Sequence, residues 1–509
     1  MENKPMKLGE LLAGMTDYDL EGDRDLEITG LTYDSRQVRP GYLFVAIKGH
    51  RANGHDYVQS AVEMGAVGVV AEHFGEIQGK AAKIRVPDSR LALSKMAVQF
   101  YCRPCESVTL IGITGTNGKT TTSYILESIL QVSGAKPGVV GTVNYRFGDK
   151  NRAAPVTTPE SLDLMGLLKE MADEGATHVI MEVSSHALDQ RRTVDCPFQV
   201  AIFTNLSRDH LDYHKTMDAY FEAKSQLFCG LQKERPGFRP TAVINMDDPR
   251  GKILRTMTDA AVLTYGLGDT CQVRAESVVA DKTGIRATLI TPGGQRPIQS
   301  CLIGKHNIYN ILAAAAAALS LNISLDAVVE GVARLRVIPG RLELVPNPRK
   351  LALVVDYSHT PDALLKALEA LRPYAEGRII TVFGCGGDRD KGKRHEMGLV
   401  AGRHSDLVFV TSDNPRTEDP QSIVTAIEKG VEESGLKRMP WPINGHKTQS
   451  GYVLEVDRRK AIRMAVAAAG EKDVVLIAGK GHEDYQIVGT EKRHFDDREE
   501  AAQAAREDL

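Results

Sequence analysis

The chain has 509 residues, of which 42% are hydrophobic and 25% charged, and this composition is typical of a soluble globular protein. Its length predicts about three domains of ordinary size. The formal net charge of −3 gives no general reason to expect a nucleic acid or a membrane as a partner, so any anionic ligand must be held by local sites.

The N-terminus and the cysteines favour the cytoplasm. Residues 1–14 lack a basic stretch followed by an apolar run, so we find no secretory signal. The longest apolar stretch, residues 308–321, is shorter than the ~20 residues that cross a bilayer and predicts a buried helix. The seven cysteines suggest no disulfide framework. Cys102 and Cys105 have redox or zinc spacing, but no second pair matches them, and we interpret them as incidental thiols.

The first part of the chain predicts a small α/β domain over residues 1–106. Short apolar runs at residues 43–47 and 67–70 are separated by glycines and polar turns. Residues 101–107, which include a proline, predict a linker to the next domain.

Residues 108–122 combine a strand, a glycine-rich turn and the start of a helix. Backbone N–H groups in such a turn point at phosphate oxygens, and Lys119 adds a positive charge. Thr120 is placed to offer its hydroxyl to a phosphate-bound Mg²⁺. The segment departs from the standard P-loop, whose first glycine would fall at Ile113. We predict that this segment binds a nucleoside triphosphate.

Alternating strands and helices predict a mainly parallel sheet in a central domain over residues 107–336. Ligands of such sheets collect at the carboxyl ends of the strands. Glu182 and His210 each follow an apolar strand, and a carboxylate near phosphate suits Mg²⁺, although either residue could instead be structural. The predicted strands are 139–142, 178–183, 200–204 and 242–245, and the predicted helices are 120–132, 161–174 and 217–228.

A second alternating block predicts a Rossmann-like domain over residues 337–509. Its predicted strands are 351–356, 379–383, 407–411 and 474–478. Gly384 and Gly386 have the spacing of a dinucleotide motif, but Arg389 occupies the third glycine position. We therefore do not expect NAD binding.

Several motifs occur in the order found in the Mur ligases, and together they cover nearly the whole chain. They are Asp-Ser-Arg at 34–36, the loop at 114–122, Thr-Thr-Pro at 157–159, Glu-Val-Ser-Ser-His at 182–186, Asn-Leu-x-x-Asp-His-Leu-Asp at 205–212, His-Asn-x-x-Asn at 306–310, Asp-Tyr-x-His-Thr-Pro-Asp at 356–362 and Asp-Asn-Pro-Arg at 413–416. The chain resembles this family. The resemblance implies an α/β protein with a small N-terminal domain, a central P-loop ATPase-like parallel sheet and a C-terminal Rossmann-like domain.

The resemblance also implies a role for individual residues. Residues implied in ATP binding are Gly115, Thr116, Asn117, Gly118, Lys119, Thr120, Thr121, Asn307, Arg341 and Asp356. Residues implied in catalysis are Lys119, Glu182, His210 and Lys224, and those implied in holding Mg²⁺ are Thr120, Glu182, His210 and Lys224, the last as a CO₂-derived carbamate. Residues implied in binding the uridine-nucleotide substrate are Tyr33, Ser35, His50, Arg51, Ala52, Thr157, Thr158, Ser184, Gln190 and Arg192. Residues implied in binding diaminopimelate are Arg389, Asp413, Asn414, Pro415, Arg416, Gly479 and Glu483.

The implied activity is ATP-dependent addition of meso-2,6-diaminopimelate to the D-glutamate of UDP-N-acetylmuramoyl-L-alanyl-D-glutamate through an acyl phosphate, a step of peptidoglycan synthesis. The Asp-Asn-Pro-Arg motif is the diaminopimelate form in this family, and the planar guanidinium of Arg416 can hold the extra carboxylate by two parallel bonds. A plain surface turn is the alternative reading of that motif. Rival functions are the same scaffold adding lysine, a folate-type polyglutamate ligase and a nucleotide switch. We expect a cytoplasmic monomer.

Overall fold

A computed structural model describes residues 5–49, 52–231, 239–281, 284–442 and 450–507. Three large sheets, of five, eleven and six strands, follow one another along the chain. This arrangement agrees with the predicted three-domain α/β fold. Across the described ranges, no helix is both long enough and apolar enough to cross a membrane.

The N-terminal sheet is built from short strands, of which β4, β5 and β6 are the most buried. The elements are β1 Met6–Lys7, α1 Leu8–Leu11, β2 Asp19–Glu21, β3 Glu27–Ile28, β4 Gly30–Thr32, β5 Tyr42–Val45, α2 Val58–Glu63, β6 Gly68–Ala71, β7 Ala82–Arg85 and α3 Ser89–Phe100. The sheet order is β2-β7-β6-β5-β4, with parallel pairing from β4 to β7 and an antiparallel β2 at the edge. The Asp88 side chain caps α3 by accepting from two backbone N–H groups, which fixes where that helix begins.

The central domain holds the largest sheet. Its elements are β8 Thr109–Thr114, α4 Lys119–Val132, β9 Pro137–Val140, β10 Asn144–Phe147, β11 Lys150–Ala153, α5 Ser161–Asp173, β12 His178–Glu182, α6 Ser185–Asp189, β13 Phe198–Phe203, α7 Leu211–His214, α8 Met217–Cys229, β14 Thr241–Asn245, α9 Pro249–Leu254, β15 Ala261–Gly266, β16 Val273–Asp281, β17 Gly284–Thr291, β18 Gly294–Ser300, α10 Asn307–Ser320 and α11 Leu325–Arg334. The order is β11-β10-β9-β12-β8-β13-β14-β15-β16-β17-β18. The seven middle strands, β9-β12-β8-β13-β14-β15-β16, pair in parallel, and antiparallel strands extend both edges. The Ala-rich α10 is buried against this sheet, as predicted.

The C-terminal domain is a second, smaller parallel sheet. Its elements are β19 Glu343–Leu344, β20 Ala352–Asp356, α12 Pro361–Leu371, β21 Ile379–Phe383, α13 Lys393–His404, β22 Leu407–Val410, α14 Pro420–Glu433, β23 Gly451–Leu454, α15 Arg458–Ala468, β24 Val474–Ala478, β25 Tyr485–Val488, β26 Glu491–His494 and α16 Asp497–Glu507. The order β19-β20-β24-β21-β22-β23 is parallel except for β19. Helices cover both faces and enclose two apolar clusters.

Most predicted strands are present, with shifts at their ends. The strand predicted over 139–142 ends at Val140, because Gly141 and Thr142 turn towards the Glu182 carboxylate. The antiparallel wing of β16 to β18 was not predicted. Its exposed strands carry polar residues such as Arg296 and Gln299, which dilute the apolar pattern that the central strands show clearly.

Candidate active site

The turn between β8 and α4 forms the candidate phosphate-binding loop. Gly115 and Gly118 have φ angles of +139° and +87°, a region that side-chain-bearing residues rarely adopt. A Cβ atom on Gly118 would lie 2.3 Å from Asn310 Oδ1, so the loop packs tightly against α10. The Thr204 hydroxyl donates to the Asn117 carbonyl at 2.7 Å and holds the loop from the β13 side. The turn leaves the N-terminus of α4 open towards an anion.

Two lysines meet at this loop. Lys119 Nζ donates to the carbonyls of Gly115 and Thr116 at 2.8 and 2.9 Å. Lys224, fully buried on α8, donates to the same Gly115 carbonyl at 2.9 Å. Burial lowers the pKa of both amines, and the charge of Lys119 lowers the pKa of Lys224 further. The neutral amine of Lys224 is therefore favoured, which is the form that reacts with CO₂.

A cluster of oxygen atoms lies beside the loop at the carboxyl end of β12. Glu182 is 1% exposed, and its Oε2 accepts from the hydroxyls of Thr120 at 3.0 Å and Thr142 at 2.8 Å. Arg341 Nη2 donates to the same Thr120 hydroxyl at 3.0 Å. A buried carboxylate and hydroxyl next to a phosphate-binding loop are the hard oxygen donors that Mg²⁺ prefers, so this donor set fits the ion.

His210 directly precedes α7. Desolvation lowers its pKa to about 3, and the Asp209 carboxylate, 3.4 Å from its Nε2, only partly offsets this effect. The His359 ring, from the C-terminal domain, lies 3.8 Å from the same carboxylate. His210 is consequently neutral at physiological pH and has a lone pair that can bind a cation.

These groups line one cavity of about 310 Å³ between the central and C-terminal domains. Of the residues implied in ATP, metal and catalytic roles, the cavity is lined by Thr116, Asn117, Gly118, Lys119, Thr120, Thr121, Glu182, His210, Lys224, Asn307, Arg341 and Asp356. Gly115 is outside this set, although its carbonyl accepts from both lysines, which do line the cavity.

The C-terminal domain closes the cavity through direct contacts. Asn117 Nδ2 donates to Asp362 Oδ2 at 2.7 Å across the domain boundary. The Arg341 guanidinium stacks on Tyr357, 4.7 Å from the ring centre, while it reaches Thr120. Asp356 accepts from the backbone N–H of Leu342 at 2.7 Å, and burial raises its pKa.

The residues implied in uridine-nucleotide binding lie on two domains. The Tyr33 hydroxyl donates to Asp163 on α5 at 2.6 Å and joins the first two domains. Arg192 donates to the Thr158 carbonyl and to Gln190 Oε1, both at 2.7 Å.

The other residues implied in uridine-nucleotide binding also belong to the first two domains. Ser35 begins a short 3₁₀ helix that the Asp34 side chain caps. The Thr157 hydroxyl lies 3.2 Å from that of Thr142, and the Ser184 hydroxyl caps α6. Ala52 is an exposed loop residue. His50 and Arg51 lie outside the described residues.

The residues implied in amino-acid binding follow the carboxyl ends of three strands: Arg389 follows β21, Asp413 to Arg416 follow β22, and Gly479 and Glu483 follow β24. Asn414 Nδ2 donates to Glu483 Oε2 at 2.9 Å, which joins the two loops. Arg416 has a left-handed backbone, φ +52°, and donates to the Gly387 carbonyl at 2.8 Å. Burial and the charge of Arg389 lower the pKa of Arg416, and burial next to Asp413 raises the pKa of Glu483.

The two remaining members of this set shape the loops. A Cβ atom on Gly479, whose φ is +119°, would lie 2.9 Å from Asp413 Oδ2, so a side chain there would fill the pocket. Pro415 connects Asn414 to the left-handed Arg416.

Two functional candidates were missed from the sequence. Thr142 donates to Glu182. The sequence predicts Thr142 as the last residue of a strand over 139–142, whereas the observed strand β9 ends at Val140. Lys480 is 0% exposed, with Nζ 3.4 Å from Glu483 Oε2 and 3.7 Å from Asp413 Oδ1. The sequence signal for Lys480 was its place between two glycines just after an apolar strand, where ligand-facing residues concentrate.

Comparison with known families covers most of the chain. Residues 27–101 match the Mur ligase family catalytic domain, residues 113–318 the Mur ligase middle domain, and residues 340–481 the Mur ligase glutamate ligase domain.

Relatives and solved structures agree with these matches. A UDP-N-acetylmuramoyl-L-alanyl-D-glutamate–2,6-diaminopimelate ligase of Geobacter sulfurreducens is 50% identical over 504 residues, 98% of this chain and 99% of that protein. The enzyme of the same name from Geobacillus thermodenitrificans is 44% identical over 503 residues, 99% of this chain and 100% of that one. A solved structure with this enzyme name is 31% identical, covers 99% of both chains and superposes with a TM-score of 0.66. MurF from Acinetobacter baumannii, 20% identical over 94% of this chain and 96% of that chain with a TM-score of 0.66, shares the fold.

Proposed function

The chain belongs to the Mur ligase family, and on that premise we propose that it ligates meso-2,6-diaminopimelate to the D-glutamate of UDP-N-acetylmuramoyl-L-alanyl-D-glutamate with hydrolysis of ATP. One observation carries the choice of amino acid. The charge of Arg389, in the loop after β21, acts on Arg416, in the loop after β22, and the carboxylates of Asp413 and Glu483 are close enough to act on Arg416 as well. Diaminopimelate has two carboxylates and two ammonium groups, and this pocket offers both signs of charge. Lysine lacks the carboxylate that the two arginines would hold.

We assign each substrate to a part of the molecule. ATP occupies the 310 Å³ cavity between the second and third domains, the uridine nucleotide lies along the first and second, and the amino acid lies on the third. The domain limits we propose are 1–106, 107–336 and 337–509, and the three family matches fall inside them.

The mechanism follows from the charges in the cavity. The D-glutamyl carboxylate is a poor electrophile, so its oxygen first attacks the γ-phosphorus of ATP, and ADP leaves. Lys119 and the open N-terminus of α4 stabilise negative charge on the transferred phosphoryl group. The amine of the amino acid then attacks the acyl carbon, loses a proton and expels inorganic phosphate, which leaves an amide. Because the three substrates are bound by three domains, the positioning of the substrates accounts for much of the rate enhancement.

The carboxylate and hydroxyl cluster would hold Mg²⁺. Thr120, Glu182 and His210 are the residues that would bind it next to the phosphates. When bound, the ion neutralises charge on the β- and γ-phosphates. Thr142 keeps the Glu182 carboxylate oriented towards the loop.

We also propose that Lys224 carries a carbamate that completes the metal site. Its amine is buried, its pKa is well below the usual value, and it lies near Lys119, whose charge would stabilise the anionic product. After incubation with isotopically labelled bicarbonate, NMR should show one carbamate carbon signal that Lys224→Arg lacks. Exposed Lys136 provides the control, because Lys136→Arg should keep the signal. A signal that survives Lys224→Arg would exclude this residue.

The enzyme would work in the cytoplasm, a reducing compartment in which the free thiols of exposed Cys102 and Cys229 persist.

Release of ADP tests the assignment. We expect release with the uridine nucleotide plus diaminopimelate, and much less with lysine in its place. Equal release with both amino acids would indicate the wrong specificity. Release that needs neither substrate would indicate a nucleotide switch, and release with a folate acceptor would indicate a polyglutamate ligase.

A further inference from the structure

A fully buried ion pair lies beneath the two loops that we assign to the amino acid. Arg458, at the start of α15, and Asp497, at the start of α16, both have side chains with 0% exposure. The guanidinium Nε and Nη2 donate to the two carboxylate oxygens at 2.7 and 2.6 Å. Such a bidentate pair fixes the plane of the guanidinium as well as its position.

The same guanidinium also contacts the ends of two strands. Nη1 of Arg458 donates to the Ser412 carbonyl at 3.3 Å, and Nη2 donates to the Ala478 carbonyl at 3.1 Å. Ser412 directly precedes Asp413, and Ala478 directly precedes Gly479. The strands that end here, β22 and β24, are not neighbours, because β21 lies between them. Arg458 therefore joins two loops that the ladder of the sheet does not join directly.

The spacing of these loops determines the shape of the amino-acid pocket. Asn414 of one loop donates to Glu483 of the other at 2.9 Å, and Lys480 contacts both side chains at 3.4 Å. A change of spacing would separate Arg416 on the first loop from Glu483 on the second. Distances of this kind decide whether an amino acid with charges at both ends is held at both.

Stability alone does not account for the pair. Removing two charges from water costs several kcal/mol per ion, and replacing a buried pair with apolar residues of similar size is often neutral or stabilising. We propose that Arg458 and Asp497 are positioning residues that set the distance between the two loops and thereby the preference for diaminopimelate over lysine. This inference rests on the proposed function.

A second ion pair in the same sheet provides a matched control. Arg378 and Asp473 have side chains with 12% and 10% exposure, and their charged groups meet at 2.7 Å. They precede β21 and β24, so they lie at the opposite end of these strands from the amino-acid loops. Arg378 also donates to a helix-end carbonyl, that of Ala468, at 2.7 Å. Arg378 and Asp473 therefore form the same kind of ion pair as Arg458 and Asp497, but they do not contact the amino-acid loops.

The experiment replaces each pair with apolar residues and measures the KM of every substrate. We expect Arg458→Met with Asp497→Leu to raise the KM for diaminopimelate about tenfold or more and to reduce discrimination against lysine. The KM values for ATP and the uridine nucleotide should stay within about twofold, since neither Arg458 nor Asp497 lines the ATP cavity. Arg378→Met with Asp473→Leu should move none of the KM values selectively. Thermal unfolding of both variants reports their stability.

An unchanged KM for diaminopimelate in a folded Arg458 variant would overturn the inference, and so would equal rises for all three substrates. If the double variant does not fold, Arg458→Lys decides, because an ammonium cannot reach both carbonyls and both carboxylate oxygens. That variant should show the same selective rise, and an unchanged KM would overturn the inference. A wild-type enzyme that uses neither amino acid would instead refute the proposed function and remove the basis of this one.

Discussion

At the scale of single residues, two lysine side chains converge on one carbonyl. Lys119 and Lys224 both donate to the Gly115 oxygen, at 2.8 and 2.9 Å. Such an arrangement is costly unless an anion arrives or one amine is neutral. The two lysines would therefore have different roles: Lys119 would supply positive charge to the phosphates of ATP, and Lys224 would react as the neutral amine.

Lys119→Ala removes the charge that stabilises phosphoryl transfer. We expect turnover to fall by about 10³-fold or more, because a preorganised electrostatic contact is lost in the transition state. Binding of the uridine nucleotide, assigned to the first two domains, should stay nearly unchanged in calorimetry. Lys136→Ala, an exposed lysine of the same domain, serves as the control. Turnover retained by Lys119→Ala would exclude the role.

His482 makes the unfolding free energy depend on pH. It packs against Tyr357 with ring centres 5.1 Å apart, and desolvation, together with the charge of Arg341, lowers its pKa from 6.5 to about 3. The unfolded chain therefore binds more protons between these values, and stability rises with pH across that window.

Lowering the pH from 7 to 5 should cost the folded protein about 2 kcal/mol through His482 alone. The measurement is urea unfolding at both pH values. Between the two pH values, His482→Gln should lose less stability than the wild type. His404→Gln, at an exposed histidine, should lose as much as the wild type. Identical pH dependence in His482→Gln and the wild type would contradict the assignment.

At the scale of elements, the turn before α4 and the turn after it can be compared directly. Gly118 and Gly134 have nearly the same φ, +87° and +85°. A Cβ on Gly118 would meet Asn310 Oδ1 at 2.3 Å, whereas a Cβ on Gly134 would meet nothing within 4 Å. Substitution of the two glycines therefore distinguishes the effect of backbone strain, which both share, from the effect of close packing, which only Gly118 has.

Both Gly→Ala changes should lose about 1–2 kcal/mol of stability from left-handed backbone strain. Gly118→Ala should lose a further 1–3 kcal/mol, roughly the cost of overpacking, and should weaken ATP binding, because Asn310 holds Asn307 at 2.8 Å. Thermal unfolding and nucleotide titration measure the two effects. Equal stability and equal affinity in the two variants would show that the contact with α10 does not matter.

The sequence predicts elements best where a buried strand is continuous and apolar. β21 and β24 were predicted with their observed limits, and the turn before α4 was recognised from its glycines and Lys119. The wing of β16 to β18 was missed, because polar outward residues mask a half-exposed strand. Arg458 and Lys480 were missed for another reason: their burial comes from contacts between segments far apart in the chain, which no local pattern records.

At the scale of the whole molecule, the second and third domains meet through a few polar contacts. Asn117 donates to Asp362 at 2.7 Å, and Arg341 donates to Thr120 at 3.0 Å. Arg208 and Glu396 form an ion pair at 2.6 Å. Because both side chains are exposed, this pair contributes little to the stability of the interface. Interfaces between domains of this polar kind permit relative motion. Closure therefore depends on contacts within the candidate ATP site.

Asp362→Ala tests that dependence. The carboxylate also accepts from Lys366 on the same helix at 2.8 Å, so its removal leaves both Asn117 and Lys366 without this acceptor. A hydrogen bond to a charged group contributes about 1.5–3 kcal/mol, and we expect the KM for ATP to rise about tenfold or more. Small-angle scattering should show a larger radius of gyration before ATP is added and a return to the wild-type value at saturating ATP.

Glu369→Ala is the matched control, because Glu369 is exposed on the same helix, α12, and lines no part of the ATP cavity. It should change neither the KM for ATP nor the scattering curve. If Asp362→Ala raises the KM but keeps the compact scattering curve, Asp362 acts on the loop through Asn117 and not on closure. If the radius grows and the KM is unchanged, closure is not what limits ATP binding. Only the two changes together support a cavity that the third domain must complete before phosphoryl transfer.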